Sequence, residues 1–348
     1  MTIGTTLWKA KSRLASAAGH LGGYALARAL TGDSPRILMY HRFACESSSK
    51  ALGVDEFEYQ VRQVVRYFRP KTLKQLAAEL ESSRGVEPRS VVITVDDGYA
   101  DFHQFALPIL QRHKVPATLF VTTDFVDQRI WLWPDLIEFA LEHAVVNSVR
   151  VNVLAGCLEL DMRSEDSRKE AWRDLVRISL GLPDDEMRAL HTQLLDRCGV
   201  ILPAIPTDRY SPLSWEQIRL ADEQGIEIGA HTRTHPALSR VPAHRLEDEI
   251  VGSKRRIEEM LGHEIVSFCY PNGTPDDVTE EVKRTVAAAG FRAAPVAYFD
   301  ENVTTDPYEL RRYAVDSWRR KFLQSLHGVN LLIGQTRTPA SQPVADGR

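Results

Sequence analysis

From residue 36 onward, short β-branched apolar runs alternate with longer amphipathic runs, and this alternation restricts the chain to an α/β architecture. The strand candidates are RILMYH (36–41), SVVITVDD (90–97), ATLFVTT (117–123), GIEIGAHT (225–232), VSFCYP (266–271), RAAPVAY (292–298) and LRRYAV (310–315). Between them lie helical patterns such as EFEYQVRQVVRYF, FHQFALPILQRH, HRLEDEIVGSKRRIEEML and VTEEVKRTVAAAG, the last closed by Gly290. SVVITV is apolar at nearly every position, as a strand covered on both faces requires. Seven strands with crossover helices predict a barrel or a wound sheet. The rhythm breaks over about 128–212, where IWLWPDLIEFALEH, a candidate hairpin (VRVNVLAGCLELDM) and two helical stretches around Trp172 and Leu190 predict a mainly helical insertion.

Composition removes several function classes. A formal net charge of -4 excludes the broad basic surface that nucleic-acid binding needs. Cys45, Cys157, Cys198 and Cys269 stand far apart without a CxxC pair, which predicts free thiols in a reducing compartment and hence a cytoplasmic location. Residues 1–34 read as a basic leader, with Lys9, Lys11, Arg13 and Arg28 among leucines and no acid before Asp33. It lacks the apolar core of a signal peptide, and no window of the chain is long enough to span a bilayer. Residues 1–30 are therefore a candidate for peripheral contact at the inner face of the membrane, the alternative being a poorly ordered leader or a helix docked on the domain. The tail, 336–348, reads as disordered.

The polar residues that matter fall at carboxyl ends of predicted strands: His41, Asp96 with Asp97, His231 with His235, and Asn272. That is the face on which α/β folds build their sites. Two adjacent carboxylates at the end of a buried strand are costly unless a metal, a cation or water receives them. In HTRTHP (231–236) the histidine pair follows an apolar strand and is closed by Pro236. Two imidazoles and a carboxylate make the open three-ligand set of hydrolytic zinc, with cobalt or nickel as other occupants.

TVDDGYAD, HTRTHP and YPNG resemble the first three motifs of the polysaccharide deacetylases with the NodB homology domain, carbohydrate esterase family 4. The resemblance spans roughly residues 36–330 apart from the insertion, within a domain expected over 35–335. It implies a distorted (β/α) barrel and metal-dependent removal of acetyl groups from sugars. It casts Asp96 as general base and Asp97, His231 and His235 as ligands of one divalent ion, most simply Zn2+. CYPNG aligns with the family's RPPYG, which gives Asn272 the backbone N–H for the oxyanion, Pro271 having none. Asp101 is then free to cap the helix from Phe102.

Two departures follow. Many members take the general acid from a C-terminal LxxH motif, for which the nearest residue is His327. LMYHRF is similar to the opening of poly-N-acetylglucosamine deacetylases and of proteins encoded with exopolysaccharide clusters, and in such relatives the acid resembles His41, which is preferred here. Cys269 stands where many members carry an arginine that orients the base, and Arg311 or Arg312 is the candidate replacement. Tyr270, Trp131, Trp133 and Arg311 are candidate substrate contacts, with Trp215 a further ring that could stack on sugar. The implied substrate is an N-acetylated oligosaccharide or a lipid-linked saccharide. Two alternatives remain open: a deformylase or O-acetyl esterase with the same site, and an inactive saccharide-binding barrel.

Overall fold

The computed structural model describes residues 22–153, 156–300, 306–333 and 338–339. Most of the basic leader and nearly all of the polar tail lie outside the described residues. The core is a six-stranded parallel sheet: β1 (Arg36–Tyr40), β2 (Arg69–Lys71), β3 (Ser90–Val95), β4 (Thr118–Val121), β5 (Glu227–Ala230) and β6 (Tyr313–Ala314). Its order is β6-β1-β3-β4-β5, with β2 pairing the first residues of β3. All five residues of β1, all six of β3 and all four of β4 are buried, which is why these runs carry almost no polar alternation.

Helices occupy the crossovers where the 3.6-residue period placed them. Val54–Tyr67 turns Phe57, Val61 and Val64 inward, and Leu73–Glu81 starts at a capping box between Thr72 and Gln75. Glu280–Ala288 ends before Gly290, whose φ of 81° supplies the left-handed stop.

The last three predicted strands are mostly not regular strands. Residues 266–298 and Leu310 contribute isolated parallel bridges, Ala230 with Phe268, Ser267 with Ala293 and Pro295 with Leu310. Pro271 and Pro295 have no N–H for a ladder, and Asn272 and Gly273 both have positive φ, so continuous pairing is interrupted there. The predicted hairpin forms over Ser148–Val153 and Gly156–Asp161. With Trp133–Glu142, Glu165–Gly181 and Asp184–Cys198 it closes a second apolar cluster around Ile137, Val151, Leu175 and Leu194.

Candidate active site

Strand alternation would send Asp96 and Asp97 to opposite faces. The Asp96 N–H still donates to Tyr40 O at 3.0 Å, continuing the ladder, but Asp97 turns into the left-handed region at φ 77°. Both carboxylates thereby converge on one site. Gly98 follows at φ 93° against Val121, where a Cβ would approach Cγ1 to 3.3 Å, so the third letter of DDG has a steric reason as well. Thr232, His235 and Asn272 also have positive φ, at 65°, 59° and 57°. Four non-glycine residues in this sparsely occupied conformation around one site are the mark of a backbone held for function.

The Asp97 Oδ1 atom lies 3.4 Å from His231 Nε2 and 3.3 Å from His235 Nε2. Edges of about 3.4 Å are what a tetrahedral ion with bonds of about 2.1 Å requires, so the donor set fits zinc in spacing as well as in chemistry. His231 Nδ1 lies 2.7 Å from Cys269 O, and donation to that carbonyl fixes the ring with Nε2 toward Asp97. All three groups are buried. Burial opposes charge on Asp97, yet the hydrogen bonds from the two imidazoles hold its carboxyl well below the usual range. A second cluster, Asp96 with His231 and Cys269, is a weaker metal site. Arg312 already places its guanidinium against both Asp96 Oδ1, at 2.8 Å, and Cys269 Sγ, at 3.1 Å.

Arg312 decides the question left by Cys269. Its Nε donates to Val296 O, Nη1 to Thr94 Oγ1 and Asp96 Oδ1, and the side chain is fully buried. Burial pushes the Asp96 carboxyl up, but the charge and hydrogen bond of Arg312, joined by His41 and His231, together outweigh it and hold the group below its ordinary value. Arg311 points elsewhere, paired with Asp300 at 2.9 Å and Glu309 at 2.9 Å.

His41 follows β1 with its side chain 45% exposed and Nε2 3.8 Å from Asp96 Oδ2, at the mouth of the site. His327 is buried against Tyr24, Tyr67 and Phe68, beside Arg28, where burial and nearby cations push its pKa down to about 3. It is a core histidine. Asn272 brings a buried Nδ2 with no partner. Among the substrate candidates, Trp133 lines a narrow crevice with Asn272 and Arg240, whereas Trp131 packs on Phe139 and Tyr210 and donates to Pro203 O. Tyr270 is buried and donates to Tyr308 O, and the Trp215 Nε1 donates to Asp127. Asp101 forms no helix cap, contrary to expectation; its carboxylate pairs instead with the partly buried Arg42 at 2.8 Å.

Sequence reasoning missed Glu249. Buried, it accepts from the N–H groups of Arg233 and Thr234 and from Thr234 Oγ1, and so shapes the turn between the two histidines. The available signal was an acid at a core-facing position in the stripe Leu246, Ile250 and Ile257.

The sequence profile of the family described as "Polysaccharide deacetylase" matches residues 83–155 and 185–294, more than half of the chain. The chain belongs to the polysaccharide deacetylase family. Its matched part contains Asp96, Asp97, His231, His235 and Asn272, while His41 and Arg312 lie outside it. YxkH of Bacillus subtilis (strain 168), whose name assigns it to the polysaccharide deacetylases, is 23% identical over 199 residues, covering 56% of this chain. The match spans 63% of that relative's length. Two solved structures share the fold. The Streptococcus pyogenes deacetylase PplD, in complex with acetate, has 15% identity and a TM-score of 0.55 over 84% of this chain and 98% of its own. IcaB from Ammonifex degensii has 18% identity and a TM-score of 0.54 over 85% and 98%.

Proposed function

We propose that this protein is a divalent-metal-dependent N-deacetylase acting on a saccharide in exopolysaccharide or lipid-linked oligosaccharide biosynthesis. The observation that carries it is the set Asp97, His231 and His235 at ion-holding spacing beside an independent, cation-held Asp96. The isolated bridges, which lead from β5 back toward β6, support reading the fold as a distorted (β/α) barrel whose carboxyl end is the mouth.

Asp97, His231 and His235 would hold the ion, which when bound would supply Lewis acidity for the attacking water and the acyl carbonyl. Asp96 Oδ1 is committed to Arg312, which leaves Oδ2, on the His41 side, to accept the proton of the water. Held ionised, Asp96 is ready for that task at neutral pH. His41 Nε2, near that oxygen and open to substrate, delivers a proton to the departing nitrogen. The N–H of Asn272 donates to the oxygen that gains charge.

Two measurements test the reading. Purified protein is expected to hold close to one divalent ion per chain, and His235→Ala to lose it while keeping its fold. Equal metal content in the wild type and in His231→Ala/His235→Ala would remove the assignment. The second concerns the acid: a C–N bond breaks poorly unless nitrogen is protonated, whereas an activated ester depends on that proton less. His41→Ala should lower amide hydrolysis by roughly 10²–10⁴-fold and ester hydrolysis much less, with metal content unchanged. His327→Ala should leave the amide-to-ester ratio of the folded protein as it is; a changed ratio there, with His41 dispensable, would move the acid to the C-terminal segment.

A further inference from the structure

The helix Tyr24–Leu30 buries Tyr24 and Ala27 against Val329, and turns Ala25, Leu26, Ala29 and Leu30 outward. Its outer face is therefore apolar, the reverse of a surface helix in water. Leu26 is 62% exposed and Leu30 65%, and Leu332, on the helix Val329–Ile333 packed beside it, is 49% exposed. Arg28 adds no charge to this face, because its guanidinium is turned inward over Tyr67 and onto His327 Nδ1 at 3.0 Å. Charge gathers around the face instead. Arg89 is exposed beside Gly32, to whose carbonyl its N–H donates; Asp33 follows Gly32, and Glu87, two residues before Arg89, is paired with Arg69 and Lys71. The 21 residues before the helix carry Lys9, Lys11 and Arg13 and no acid.

We propose that Leu26, Leu30 and Leu332 seat this end of the protein on an anionic lipid surface, with Arg89 at the headgroups and the basic composition of the sequence before Gly22 favouring anionic over neutral lipid. A lipid surface fits better than a second protein because the apolar area is small and convex, one helix face, and the sequence leading into it carries Lys9, Lys11 and Arg13 with no acid before Asp33. The helix meets the amino-terminal end of β1, whereas His41 follows its carboxyl end. The catalytic mouth therefore opens away from the lipid.

The test is cosedimentation of the full chain with vesicles of equimolar phosphatidylcholine and phosphatidylglycerol, against vesicles of phosphatidylcholine alone. The wild type should bind the anionic vesicles at least about tenfold more strongly than the neutral ones. Leu26→Glu/Leu30→Glu should lower that binding by roughly ten- to a hundredfold, and Leu26→Phe/Leu30→Phe should keep it. Both variants should unfold at the wild-type temperature and hydrolyse a soluble substrate equally. Absence of binding to anionic vesicles, or equal binding by the glutamate variant, would overturn the proposal. So would a concentration-dependent dimer that the glutamates dissolve, which assigns the face to a second copy, or a loss of thermal stability in that variant, which assigns it to the chain's own first residues.

Discussion

Replacing Asp96 with asparagine is expected to lower turnover by roughly 10²–10⁴-fold while the protein keeps close to one divalent ion per chain. The amide oxygen of asparagine preserves shape and can still accept from Arg312, but it cannot take up the proton of the attacking water. Asp97→Asn should behave differently, since that carboxylate faces both imidazoles, and it should lose metal as well as turnover. Metal analysis alongside steady-state rates separates the two. If both variants lose the ion, or both keep it with equal rates, the division of roles within the aspartate pair is wrong.

The second large effect is on stability. Asp96 and Arg312 form an ion pair with side chains 2% and 1% exposed, and removing one partner strands the other in a low-dielectric interior. Arg312→Met is expected to cost about 3–5 kcal/mol, and Asp96→Asn/Arg312→Met to recover much of it, because no unpaired charge remains buried. The sign of the pH dependence follows from the pair. In the wild type the folded Asp96 carboxyl lies below its unfolded value, so its contribution is present above the unfolded value of about 3.9 and is lost as pH falls through the lower folded one. Without Arg312, burial is opposed only by the neighbouring His41 and His231 and raises the folded value. The gap between wild type and Arg312→Met should then be widest near neutral pH and close on acidification. Chelator-treated protein unfolded in denaturant across that range gives the answer; equal stability of the single and double variants would show that the pair is not coupled. Turnover should fall with Arg312→Met too, since Asp96, the proposed base, loses the anchor of its Oδ1.

The parts of this protein legible in its sequence are those in which the signal is local. Continuous β-branched apolar runs and period-3.6 patterns located β1, β3, β4, β5 and the crossover helices, since each of those residues meets the core through its own element. The regular strands expected over 266–271 and 292–298 dissolve into single bridges. Apolar content there reports burial, which is real, but the ladder also needs N–H groups that Pro271 and Pro295 lack. Asp101 misled for a similar reason: its position suits a cap, yet Arg42, from another loop, competes for the same carboxylate and prevails.

The site divides the same way. Asp96 with Asp97, and His231 with His235, are each close in sequence, so their motifs announced two halves of one centre, and strand-end placement put His41 and Asn272 nearby. By itself the sequence determined the α/β class, the residue types of the candidate site and the end of the sheet where they gather. It left Arg311 and Arg312 as equals, offered His327 as a rival acid, and marked Glu249 only as an acid in an apolar stripe, without its partner in the turn between the histidines. Only the tertiary structure chose among them. Arg312 reaches Asp96 across 216 residues of chain, Glu249 reaches Arg233 and Thr234 from another helix, and the rings of Tyr24, Tyr67 and Phe68 enclose His327. A charge buried beside another charge, or an imidazole buried away from water, is set by what packs around it in space. Periodicity along the chain records that a side chain is buried, and packing alone determines its partner.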